Sequence, residues 1–132
     1  MSDQISYPVS PQDAGMNDIP LPFSLATQVG NLIFVSGQAS VDENGKIVAG
    51  TFEEEFRASM ENLRRILKAA GSDLDKIVKV TSYIRDASHV ALYNQLYREY
   101  FQEPYPARTT ITNCLPETLH FEIDCIAVAD SS

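Results

Sequence analysis

One stretch near the end of the chain, Leu119 to Ala129, limits the fold more than any other. Leu119, Phe121, Ile123 and Cys125 alternate with His120, Glu122 and Asp124, the period of a strand that buries one face and shows a polar one. Beyond Cys125 the alternation gives way to Ile126, Ala127, Val128 and Ala129, apolar on both faces. Such a strand end needs a covering layer on each side. In a chain of 132 residues, enough for one core, helices can cover one face and a neighbouring subunit is expected on the other.

The remaining elements follow from local signals. Thr51 stands three residues before Glu54, the spacing of a capping box. Phe52, Phe56, Met60, Leu63, Ile66, Leu67 and Ala70 then recur at helical intervals until Gly71 supplies a left-handed stop. Lys76 to Ile84 is β-branched and strand-like, Asp86 or Ser88 is a candidate N-cap, and a second helix runs to about Phe101 before Pro104 and Pro106. Residues 31–40, NLIFVSGQAS, read as a strand, and the turn D-E-N-G at 42–45 leads to Ile47 and Val48 as its hairpin partner. Arg108 to Asn113 and Leu119 to Ala129 are two more strands, joined by a turn at Leu115-Pro116. Residues 1–20, with Pro8, Pro11 and Pro20, read as an N-terminal arm or short strand. The order ββ-α-β-α-ββ predicts an α+β fold, a mixed sheet with two helices packed on one face, as a single domain over residues 1–132.

Charge narrows the function classes. Eighteen Asp and Glu against ten Lys and Arg give a net charge of −8, which repels nucleic-acid backbones and anionic membrane surfaces. Arg64, Arg65 and Lys68 form the one dense basic group, and they fall where a helix end favours cations. No run approaches ~18 apolar residues and no leader pattern opens the chain, so no membrane partner and a cytoplasmic location are expected. Cys114 and Cys125 are too few for a disulfide framework and wrongly spaced for zinc, and both read as small buried hydrophobes in strands. Neither a metal nor an organic cofactor is expected.

Arg108 and Thr110 share a strand face, and Glu122 lies on the polar face of what is read as the adjacent strand. If those faces coincide, a permanently charged fork suited to a carboxylate and a tunable acid–base group flank one pocket. The plain alternative is a structural Arg–Glu ion pair. Asn94 falls within the Val90, Tyr93, Tyr97, Phe101 stripe, where a buried amide needs partners. His89 and His120 have no partnered Ser, Cys or metal-ligand pattern, and the tyrosines read as core.

GNLIFVSGQ at 30–38, AAGSDLDKIVKVTSYIRD at 69–86, YNQLYREYF at 93–101 and PARTTITNCLPETLHFEIDCIAVA at 106–129 together resemble the RidA/YjgF family, also called L-PSP endoribonucleases, over nearly the whole chain after residue 20. The resemblance implies a chorismate-mutase-like (YjgF-like) fold, a homotrimer with pockets between subunits, and hydrolysis of reactive enamines and imines such as 2-aminoacrylate to 2-keto acids and ammonia. It implies that Arg108 binds the substrate carboxylate, that Glu122 handles the hydrolytic water, and that Ser36 and Asn94 lie near the pocket. Two positions depart from the best-known subgroup: Phe23 replaces a loop tyrosine and Thr110 a cysteine. Both are assigned to substrate binding and choice, with 2-aminomuconate-like substrates an alternative. A non-catalytic carboxylate-binding or chaperone-like role and ribonuclease activity are the competing readings.

Overall fold

In the computed structural model, which describes residues 4–130, the Thr51 hydroxyl accepts the Glu54 N–H at 3.1 Å and the Glu54 carboxylate accepts the Thr51 N–H at 2.8 Å. Helix α1 (Phe52–Ala69) follows and buries Phe52, Phe56, Met60, Leu63, Ile66 and Leu67 along one side. At Gly71, φ +82°, the N–H groups of Gly71 and Ser72 turn back to the carbonyls of Lys68 and Leu67 and close the helix. Glu55 departs from this amphipathic pattern, being fully buried.

Strands β1 (Ile5–Ser6), β2 (Ala26–Val29), β3 (Leu32–Gln38), β4 (Ile77–Ile84), β5 (Ala107–Thr112) and β6 (Phe121–Val128) form one sheet in the order β1-β2-β3-β6-β4-β5. The β4–β5 ladder is parallel and the others antiparallel. Helix α2 (Val90–Tyr100) joins α1 on the same face. There the Phe56 ring meets Phe121 at 4.9 Å, and the hydroxyls of Tyr93 and Ser82 share a 2.6 Å hydrogen bond. The architecture is therefore the expected α+β fold with a mixed sheet and two helices on one face.

Several local readings need correction. The hairpin partner of β3 is β2, joined through Gly30 and Asn31 with Gly30 at φ +59°, whereas Ile47 makes one isolated bridge to Val41. Both edges of β3 are taken, by β2 and β6, so Ile47 and Val48 have no ladder to join. Strands β5 and β6 are not neighbours, because β4 lies between them. Asp86 caps a short 3-10 turn, Ala87–His89, ahead of α2. Cys125 is buried in β6, while Cys114 lies in the loop after β5 and is only half-buried.

The other sheet face has no helix. Val29, Leu32, Phe34, Val78 and Ile111 are exposed, with Phe34 at 39% and Val78 at 45%. They surround a polar centre in which the Tyr83 hydroxyl donates to Asp124 at 2.7 Å and Lys79 donates to Thr109 at 2.8 Å. No helix among the described residues is long and apolar enough to cross a membrane.

Candidate functional site

Arg108 and Thr110 lie on edge strand β5, in register with Val80 and Ser82 of β4, so both face the helices. The Arg108 guanidinium carbon sits 5.0 Å from the Tyr93 ring centroid and 4.8 Å from that of Tyr97. Tyrosines read as core thus also supply the aromatic faces over which the cation sits. Beside it is a cavity of about 260 Å³ lined by Asn94, Tyr97, Arg98, Tyr105, Pro106 and Arg108. Burial, helped by the neighbouring Tyr93, pushes the Tyr97 phenol up to about 12, so it remains a neutral donor at ordinary pH. Its hydroxyl is buried without a hydrogen-bond partner among the described residues.

Glu122 lies elsewhere. It is in register with Tyr83, on the helix-free face, and its carboxylate covers Gly37: a Cβ at that glycine would stand 2.3 Å from Glu122 Oε2. Burial, and then repulsion from Asp124, raises its carboxyl pKa and favours the proton-bearing form. Ser36 donates to the Ser24 carbonyl at 2.5 Å, which ties the Phe23–Ser24 segment to β3. Phe23 is 53% exposed and lines a separate hollow with Tyr7, Ile19 and Leu21.

The structure therefore brings Arg108 and Asn94 together, places Thr110 beside the buried Tyr93, and sets Glu122, Ser36 and Phe23 apart from them within one chain. The register puts Glu122 level with Ile111, three residues beyond Arg108 and two strands across. Strand spacing and rise make that roughly 14 Å between backbones, with the side chains on opposite faces. The sequence reading of adjacent strands with coincident faces is corrected accordingly, and no Arg108–Glu122 ion pair forms among the described residues.

Sequence reasoning passed over Tyr97, Arg98 and Tyr105. The available signal was Arg98, four residues after Asn94 and so on the same side of α2. It also found no partner for His120, which has one 65 residues away. The buried Glu55 carboxylate accepts the His120 N–H at 2.7 Å, meets its ring Nδ1 at 2.6 Å and accepts the Gly50 N–H at 3.1 Å. This clamp fixes the entry to β6 two residues before Glu122. Among the described residues no cluster of three or more His, Cys, Asp or Glu side chains is arranged to hold a metal.

The profile of the endoribonuclease L-PSP family matches residues 17–129. A protein of Pyrococcus abyssi named as a RutC family protein is 43% identical over 80% of this chain and 85% of its own. A 2-iminobutanoate/2-iminopropanoate deaminase of Dermatophagoides farinae is 33% identical over 96% of this chain and 95% of its own. Among solved structures, a yeast protein, YEO7, superposes with a TM-score of 0.84 at 30% identity, covering 96% of this chain and all of the other.

Proposed function

The chain belongs to the endoribonuclease L-PSP family, the RidA/YjgF family of the sequence reading, and from that premise we propose that it hydrolyses small enamines and imines bearing a carboxylate. The observation that carries this reading is the Arg108 guanidinium, held over two tyrosine rings beside a cavity lined by no acidic residue. A guanidinium so held takes a carboxylate bidentately. Relatives named as 2-iminobutanoate/2-iminopropanoate deaminases support the same chemistry.

In this reaction the enamine is protonated at its β-carbon to give the imine, and water adds to the imine carbon. The carbinolamine then expels ammonia and leaves the 2-keto acid. Arg108 anchors the carboxylate next to the reacting carbon, while the Asn94 amide, on the same cavity, can bond its oxygens. Glu122, whose carboxyl pKa is raised by burial and by Asp124, is the more basic carboxylate for it and is suited to activate the water. Because Arg108 and Glu122 sit on opposite faces, the working site joins Arg108 of one copy to Glu122 of another, with Ser36 and Phe23 on the Glu122 side. The exposed apolar residues of the helix-free face support association of copies, and a homotrimer is the proposed assembly.

The test is ammonia release from 2-aminoacrylate generated in situ. Arg108→Lys keeps the charge and loses the fork, so 2-keto acid affinity should fall about ten-fold or more, the scale of a charge-assisted hydrogen bond. Glu122→Gln should leave that affinity nearly intact and lower turnover by roughly 10²–10⁴. No acceleration by the native protein, with 2-keto acids still bound, would favour a carboxylate-binding role instead.

A further inference from the structure

On the helix side of the sheet, away from the face proposed to meet other copies, one chain holds a cavity of about 420 Å³ between α1, the end of β3, the turn after Val41 and the N-terminal arm. The arm is fastened over it. The Asn17 N–H donates to the Glu43 carbonyl at 2.8 Å and the Asn17 amide to the Asn44 side chain at 2.6 Å. Gly15, φ +76°, lies against the Arg65 stem, where an added Cβ would stand 3.1 Å from Cδ.

Opposite charges line this cavity without meeting. Arg65, from α1, gives one N–H to the Asn62 amide oxygen at 3.0 Å, and the Asn62 amide nitrogen is held in turn by the Ala39 and Val41 carbonyls at 2.9 and 3.4 Å. Asp42 is held by its own turn: Oδ1 accepts the N–H groups of Asn44 and Lys46 at 2.9 and 3.0 Å, while Oδ2 accepts nothing among the described residues. Glu43 adds a second carboxylate from the same turn. No ion pair joins Arg65 to either of them among the described residues. Gln38, only 7% exposed, spends its amide N–H on the Ser36 carbonyl at 3.1 Å, and its amide oxygen accepts no bond among the described residues. So deeply set an acceptor calls for a donor. The cavity therefore asks for both signs at once, an anion for the guanidinium and a cationic donor for Asp42 and Gln38.

We propose that this cavity binds a free amino acid with an aliphatic side chain, its carboxylate on Arg65, its ammonium on Asp42 and Gln38, and its side chain against Met16, Val41 and Ile66. The volume falls within the roughly 300–1,000 Å³ of small-molecule sites. A nucleotide would bring its phosphates against two carboxylates, and the fastened arm closes the path an extended peptide would need. The proposal stands apart from the hydrolase reading, since neither Arg108 nor Glu122 lines this cavity.

The test is calorimetry on the assembled protein at low salt and neutral pH, with leucine, N-acetylleucine and leucinamide as probes. Leucine should bind saturably, one molecule per chain. N-acetylleucine lacks the ammonium and leucinamide the carboxylate, so each should bind at least about ten-fold more weakly, the loss of one charge-assisted contact. Arg65→Gln removes the cation from an exposed position, and Asp42→Asn removes the charge while an amide oxygen can still cap the turn. Each should lower leucine affinity about ten-fold with little change in melting, and Arg108→Lys should leave it as it is. No saturable binding at millimolar leucine, equal affinities for the three probes, or an affinity unmoved by Arg65→Gln and Asp42→Asn overturns the proposal. Leucine binding that is lost in Arg108→Lys and kept in Arg65→Gln would place the amino acid beside Arg108 and overturn it as well.

Discussion

Gly37 is required by space rather than by backbone angle. Glu122 Oε2 occupies the place a side chain would need, 2.3 Å from an added Cβ, so Gly37→Ala should push the carboxylate aside while the helix-facing core stays as it is. Turnover should fall on the order of 10²-fold, the cost of misplacing a catalytic group by about an ångström, with little loss of 2-keto acid affinity. Paired rate and binding measurements check this. Asp124 acts on the same carboxylate through charge, its own position fixed by the Tyr83 hydroxyl. Asp124→Asn removes the repulsion, so the Glu122 limb of the pH–rate profile should move to lower pH; an unmoved limb would deny Glu122 that role. At this scale the sequence shows which residues share a face of one strand, as with Arg108 and Thr110. It cannot show that β4 separates them from Glu122, because strand order is set by tertiary packing.

Among the elements, the entry to β6 depends on Glu55. Burial pushes its carboxyl pKa up, but the His120 N–H and ring and the Gly50 N–H outweigh that and hold it below the ordinary 4.5. The unfolded chain therefore takes up this proton more readily than the folded one. The stability supplied is complete above the unfolded value and is lost as the pH falls through the lower folded value. Glu122 has the opposite sign, its raised pKa meaning that acidification relieves rather than costs the fold. Glu55→Gln should destabilise by about 1–3 kcal/mol at neutral pH, the cost of weakening buried hydrogen bonds to a charged acceptor, with the gap to the native protein narrowing in acid. Melts from pH 7 to pH 3 would reveal it. Helix α1 is legible in the sequence because its cap, stripe and stop are local. Strand β2 is not, being four residues of weak alternation whose one clear mark is the Gly30–Asn31 turn. The Glu55 clamp was hidden for a different reason, since a carboxylate in a row of three glutamates looks solvated until the chain folds.

For the whole molecule, the apolar residues of the helix-free face predict association, and light scattering at micromolar concentration should give three chain masses. A monomer would leave Arg108 and Glu122 with no way to meet. The net charge of −8 predicts no tight, salt-sensitive binding to single-stranded RNA, and titration at two salt concentrations decides it. The apolar far side of the last strand was readable from Ile126 and Val128 before any fold was known, whereas the division of the site was not, because it arises from strand order and register together. In the proposed trimer that division has a genetic consequence. A chain lacking Arg108 and a chain lacking Glu122 would each be inert alone, yet when the two are co-expressed the intact half of one meets the intact half of the other. With random assortment in a closed ring about one site in four would be whole, so two dead alleles should complement each other in the same cell.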